Sequence, residues 1–342
     1  MAAITPAYTI VNPSYIAPEL IIGYQQASGA FETLASGNPL VRLGVGDQYV
    51  YMRKLDIRTQ VAASQSGNAN QLPSVALDAS MISTPTYMFR CRGIYDHHDV
   101  AAAGNWNIAL PEAQRLGMRQ GIFQQLRTAL LFGMNAAEGE GLLNTQGATT
   151  ETLPADKNSN DTVISYDPGQ LAVFMLGQVQ AAMTRTNQLG IQQRVVILGP
   201  QRVLGTMEMQ QIVQLTSYQR PGGGTGTVGN TVEDVLKGAN VKVEWAYDDT
   251  LIGAGQGGTD AVLIVIPEVE NPQVNTTVNT NEFANLSPSI KANALMFSDM
   301  AAPREIPTPI AGGAIDVLSE MRSTPGWAVR PEAVTIISMK YQ

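Results

Sequence analysis

Helical periodicity is longest between residues 111 and 147, where Leu116, Phe123, Leu126, Leu130, Met134 and Ala137 recur at steps of three, four or seven. That spacing puts them on one stripe and predicts a long amphipathic helix. The helix runs into a Gly-rich turn and the phrase Glu140-Gly141-Leu142-Leu143-Asn144-Thr145. Gly117, Gly121 and Gly133 weaken it by about 1 kcal/mol each relative to Ala and allow close packing or slight bending. Before the helix, Tyr49, Tyr51, Arg53, Leu55 and Ile57 alternate along 47–61, the period of a strand. Residues 81–96 read as a second strand, and the small polar residues 62–80 form a broad tip between the two. A two-stranded hairpin of this length is not stable alone in water and requires a partner surface.

After the long helix, 148–166 reads as a polar loop. A second helix is predicted over 168–188, with Pro168 in its first turn and a stripe of Leu171, Phe174, Met175, Val179 and Met183, closed by Gly190. Residues 194–198 are a buried strand, 200–209 a helix, 216–229 a Gly-rich loop, 231–237 a modest helix, and 241–247 and 261–266 strands. The Pro-rich stretch 303–309 separates these from final elements around 314–322 and 334–340. Pro6, Pro13, Pro18 and Pro39 make the first 40 residues an extended arm with one short helix near 20–36. The pattern is mixed α+β, without regular βαβ alternation and without an internal repeat.

Composition narrows the function. The 342 residues suit two domains or one elaborated fold, and 44% hydrophobic residues supply a sizeable core. Only 15% are charged, against about a quarter in ordinary domains. The surface is therefore rich in uncharged polar and small residues, which suits burial against other copies, since interface cores are depleted of charge. The net charge of −8 argues against a dedicated nucleic-acid binder, which carries a basic footprint. No apolar run approaches the ~18 residues of a membrane span. The N-terminus lacks a basic n-region and is broken by prolines, so no signal peptide is expected. Cys91, the one cysteine, excludes an intrachain disulfide or a cysteine-based metal knuckle; it reads as a small buried hydrophobe in a protein made in a reducing cytoplasm.

The candidate chemistry is thin. Gly224-Thr225-Gly226-Thr227-Val228-Gly229 satisfies G-x-G-x-x-G, with Asp248 about twenty residues on. A dinucleotide site also needs a buried strand immediately before the first glycine, and 217–221 does not read as one. The segment is read as a flexible loop. Asp96-His97-His98-Asp99 holds both histidines. On a strand the two point opposite ways and lack a third ligand, so a turn capped by Asp99 is expected rather than a metal site. There is no nucleophile elbow and no Walker loop. Asp248-Asp249 and Glu138/Glu140 fall in turns, where carboxylates are solvated. No catalytic, cofactor or metal residue is assigned.

The long helix with its GLLN end resembles the spine helix of the major capsid proteins of tailed double-stranded DNA phages, the Hong Kong 97 capsid fold. Other segments follow in that family's order. Residues 47–96 resemble its extended hairpin loop, 168–267 its axial domain, and 310–342, with Met321-Arg322 and Val329-Arg330-Pro331-Glu332-Ala333-Val334, its closing strands. The resemblance implies an N-terminal arm (1–46), an extended hairpin loop (47–100), a peripheral domain with the spine helix (101–167 and 285–342) and an axial domain (168–284). It implies a virion shell built from pentamers and hexamers, with no enzyme activity and no cofactor. It also implies a separate scaffolding protein (the arm is too short to contain one), a portal, an added decoration protein, and weak contact with packaged double-stranded DNA.

Gly222, Gly223, Gly224, Gly226 and Gly229 would line a loop at the five-fold or six-fold axis. Arg115 and Arg119, four apart on the spine helix, would face the DNA; a solvated helix face is the plainer reading of that pair. The family's founding member crosslinks through a loop lysine, whereas 62–80 contains none, so no covalent chainmail is expected. Two other functions remain open on sequence: an encapsulin-type compartment with the same fold, and an NAD-dependent oxidoreductase using Gly224–Gly229.

Overall fold

The structure is a computed structural model that describes residues 34, 42–58, 76–105, 109–186, 193–210, 226–270, 291–293, 295–300, 302–310, 312–328 and 330–342. Most of the expected arm and the hairpin tip lie outside the described residues, as do Gly190, Gly222, Gly223 and Gly224.

The first two described strands, β1 (Tyr49–Arg58) and β2 (Ala76–Pro85), pair antiparallel as a hairpin from Tyr49↔Pro85 to Arg58↔Ala76. The expected single strand over 81–96 is in fact two: β2 ends at Pro85, and β3 (Tyr87–Tyr95) belongs to another sheet. Helix α1 (His97–Gly104) follows, then α2 (Leu110–Phe132), the long helix. Its buried residues are Met118, Ile122, Leu126, Ala129, Leu130 and Leu131. Of the expected stripe only Leu126 and Leu130 are buried; Leu116, Phe123 and Met134 are exposed. The spacing was helical, but two apolar faces share this helix.

Within the expected polar loop, Thr149–Thr152 forms β4. Helix α3 (Pro168–Arg185) ends three residues earlier than its period suggested, with Thr186 as its cap. Next come β5 (Gln193–Gly199), α4 (Gln201–Met209), α5 (Val228–Gly238), β6 (Val241–Tyr247) and β7 (Asp260–Val265). The short strands β8 (Glu268–Glu270) and β9 (Lys291–Asn293) pair together. Then β10 (Leu295–Met296) leads to β11 (Arg304–Pro309), β12 (Ile315–Ser323), β13 (Trp327–Ala328) and β14 (Val334–Met339). The Pro-rich stretch read as a separator is thus strand β11. It is an edge strand, where proline is tolerated because a ladder donor is dispensable.

Two sheets organise the body. The larger has the order β4-β14-β7-β5-β6. β5 and β6 run parallel and are joined through α4 and α5, so the chain does contain one crossover of the βαβ kind. One face of this sheet packs Val195, Ile197, Val262, Ile264 and Ile337 against α3, α4 and α5. The other packs Val196, Leu198, Ala261, Leu263 and Val265 against Leu130, Leu131, Leu142, Leu251 and Phe297, with Leu34 in the same cluster. Burial on both faces explains why β7 reads as an uninterrupted apolar run rather than an alternating one. Strands β4 and β14, which the sequence division assigns to the peripheral domain, are members of this sheet.

The smaller sheet, β11-β12-β3, is antiparallel. α2 covers one face, where Phe89 and Met321 meet Ile122, Leu126 and Ala129. Register puts Arg90, Arg92, Glu320, Asp316 and Arg304 on the opposite face.

Candidate functional site: the helix joint and the uncovered apolar faces

The phrase that follows the long helix is a joint, not a solvated turn. α2 stops at Gly133, which has φ +70°, and the chain returns through Gly141 at φ +85°. A Cβ at Gly141 would run into the backbone of Phe132 and Gly133, so the two turns close only without side chains. The return puts Asn144 under the helix end, and its Nδ2 donates to Phe132 O (2.8 Å) and Glu140 O (3.1 Å). A carbonyl left without a partner at the helix C-terminus is thereby capped.

Glu140 is buried, contrary to the sequence expectation of a solvated turn carboxylate. Its Oε2 accepts from Met134 N (3.1 Å) and Asn135 N (2.8 Å), and its Oε1 from Tyr87 Oη (2.8 Å). Buried charge is tolerated when it accepts several hydrogen bonds. Burial, helped by Glu140's hydrogen bond and negative charge, pushes the Tyr87 hydroxyl up to about 12. Gly141 N donates to Gly326 O (2.8 Å), which ties the joint to the strands near the C-terminus. The Glu140–Thr145 phrase marked the place in the sequence, with glycines at 133, 139 and 141, but not the burial of Glu140 or its partners.

The hairpin leaves the body one residue from this joint. Thr86 interrupts the strand, its N–H donating to Gln48 O (2.9 Å) and its hydroxyl to Asp47 O (2.5 Å). Beyond this base, β1 and β2 form a sheet of their own. Tyr49, Tyr51 and Met81 are 53%, 64% and 65% exposed. Leu116 and Phe123 add an uncovered apolar face on α2, at 44% and 38%.

The residues singled out in the sequence fall as follows. Arg115 and Arg119 converge on Glu305 of β11, at 3.3 and 3.0 Å, and both remain about half exposed. They brace α2 against the sheet, and partly exposed pairs of this kind contribute about 0–1 kcal/mol each. Gly226 precedes α5, but Gly229, expected in the loop, is buried in the first turn of the helix, whose cap Thr227 accepts from Asn230 N through its hydroxyl (3.3 Å). The described element before this segment is helix α4 rather than a buried strand. His97 and His98 are not on a strand: they open α1, with rings 3.9 Å apart. Asp96, not Asp99, is the cap, accepting from His98 N and Asp99 N, while Asp99 returns the bond to Asp96 N. Among the described residues no group of three or more His, Cys, Asp or Glu is placed to hold a metal. No described helix is long and apolar enough to cross a membrane.

No family model matches the sequence, and no curated protein matches it. Solved structures do. A chain from the capsid of Myoviridae phage XM1 matches 95% of this chain and 96% of its own, at 14% identity and a TM-score of 0.67. A chain from the capsid of the empty GTA particle matches 96% and 95%, at 10% identity and a TM-score of 0.57. A chain of Mycobacterium phage Che8 matches 97% and 98%, at 10% identity and a TM-score of 0.52. The architecture of this chain, from hairpin to closing strand, is the α+β phage capsid fold.

Proposed function

We propose that this chain is a major capsid protein, a structural subunit that closes with its copies into the icosahedral shell of a tailed double-stranded DNA phage. The observation that carries this reading is the hairpin, seen on a fold matched end to end by phage capsid chains. It projects from its base with Tyr49, Tyr51 and Met81 uncovered. A ladder that cannot stabilise itself in water, with apolar side chains facing out, is explained by a neighbouring copy that covers it. Each such side chain, once buried, contributes about 1.5–3 kcal/mol. The contact is heterologous, hairpin to a different surface of the next copy, and such contacts generate closed rings when the rotation closes.

In this reading 47–100 is the loop that reaches across, α2 is the spine, 168–284 is the axial domain, and Gly222–Gly229 approaches the ring axis. The role is structural and the location is the virion capsid, after synthesis in the host cytoplasm. A scaffolding protein, a portal and a decoration protein complete assembly. Arg115 and Arg119 share one carboxylate between two guanidiniums, which leaves residual positive charge for weak, salt-screened contact with packaged DNA. Reversing both charges tests that contact; unchanged genome packing would remove it from the account.

Negative-stain electron microscopy of the purified protein, alone and with its neighbouring genes co-expressed, tests the whole reading. Closed shells, or rings of five and six that close with a scaffold, are the expected result. A uniform small dimer or tetramer under every condition refutes it.

A further inference from the structure

The base of the hairpin carries a device that the shell reading does not require. Asp47, Gln48 and Thr86 are the points where the two strands of the hairpin cross into the body. Arg322, near the end of β12, reaches this crossing: its Nη1 donates to Asp47 O (2.6 Å) and to Thr86 Oγ1 (2.9 Å). Thr86 Oγ1 in turn donates to Asp47 O (2.5 Å). One guanidinium nitrogen thus bridges the segment that enters β1 and the segment that leaves β2. No ion pair joins Arg322 to a carboxylate among the described residues, and its Nε is buried without a partner. A guanidinium drawn out of water and left partly unsatisfied is costly. Surface placement would be free of that cost, so the position is set by the two acceptors it bridges.

The leverage is large. The hairpin has ten register pairs, so at ~3.3 Å per residue it is roughly 33 Å long, and a turn of about 10° at its base moves the far end by about 6 Å. Among the described residues neither β1 nor β2 pairs with a strand of the body: they hydrogen-bond to each other, while β3 joins β12, and the chain entering β1 is held by Leu43 N donating to Asp299 O (2.9 Å). One residue beyond the crossing, Tyr87 is bonded to Glu140 at the end of α2, so the body side of the pivot is fixed.

We infer that Arg322 is the latch of this pivot, a positioning residue that holds the hairpin at one angle to the body. Thr86 is the receiving half of the latch. The consequence for shells rests on the capsid reading, but the latch does not. Loosening it frees the hairpin without loosening the sheets.

Hydrogen exchange on the unassembled full chain tests the latch directly. Arg322→Ala and Thr86→Val are each expected to speed exchange at 49–58 and 76–85 while β5 and β7 keep wild-type protection. Because the two residues bond each other and share Asp47 O as acceptor, the double variant should speed exchange by less than the sum of the two single effects. Arg322→Lys retains a donor and should recover part of the protection. Unchanged hairpin exchange in both single variants overturns the inference. So does additivity in the double variant, or an equal rise across β3 and β12, which would mark Arg322 as an ordinary body residue. In assembled material, Arg322→Ala is expected to broaden the distribution of shell diameters; loosened hairpins in shells of unchanged diameter overturn the angle-setting role. If the wild-type chain forms no shells, the capsid reading fails while the exchange result still decides the latch.

Discussion

In β7 every residue from Asp260 to Val265 is buried, whereas in the hairpin Tyr49, Tyr51 and Met81 each expose more than half their surface. Both regions are strands of strong β character. They differ in what the chain itself provides to cover them. The large sheet has three helices on one face and the end of α2 with Leu142 and Phe297 on the other. Among the described residues, β1 and β2 pair only with each other. The first region is stabilised within one subunit, whereas in the proposed shell the second is completed between subunits. α2 shows the same division within one element: Met118, Ile122 and Leu126 face the body, while Leu116 and Phe123 face outward.

Substitutions sharpen this contrast. The largest effect belongs to the sheet: Leu263→Ala, at a fully buried position, should cost about 2–5 kcal/mol, read by denaturant unfolding of unassembled subunits. Next is the joint. Glu140→Gln puts an amide against the N–H groups of Met134 and Asn135 and should cost about 1–3 kcal/mol, with faster exchange at the C-terminal turn of α2. Tyr87→Phe removes one hydrogen bond and should cost about 1 kcal/mol.

Tyr87 also gives the joint a pH signature. Its hydroxyl is raised from 10.0 to about 12 in the fold, so the folded state holds this proton after the unfolded chain has lost it. Stability is then full below pH 10 and falls as pH rises towards 12. Tyr87→Phe should flatten that alkaline limb, and an unchanged limb would mean that other groups dominate it. The smallest effect on the subunit belongs to the hairpin. Tyr51→Ser with Met81→Ser should leave unfolding of the unassembled chain within about 0.5 kcal/mol of wild type, yet lower the yield of shells. A large loss of subunit stability would place these residues in the core and break the comparison.

Much of the fold was legible because periodicity reports burial. Strands β5, β6, β7 and β14 and helix α3 were found within a few residues of their bounds for that reason. The failures have physical causes. The stripe on α2 was misassigned because that helix has two apolar faces, and a sequence cannot say which one meets the body. The break at Thr86 was hidden by alternation that continues across it, although Pro85 marked the end of β2. β11 was missed because its prolines suggest a linker, and only its place at a sheet edge allows them. Glu140 was read as solvated because local sequence favours water around a turn carboxylate; its burial depends on the doubled-back chain at Gly133 and Gly141. Of the five glycines expected to line an axis loop, only Gly226 and Gly229 fall among the described residues.

The most direct test of the central claim compares hydrogen exchange in unassembled subunits and in particles of the same chain. The account predicts that assembly slows exchange along 49–58 and 76–85 and along the outward face of α2, while β5 and β7 are equally protected in both forms. Equal hairpin exchange in subunits and particles, or protection gained chiefly in β5 and β7, would contradict it.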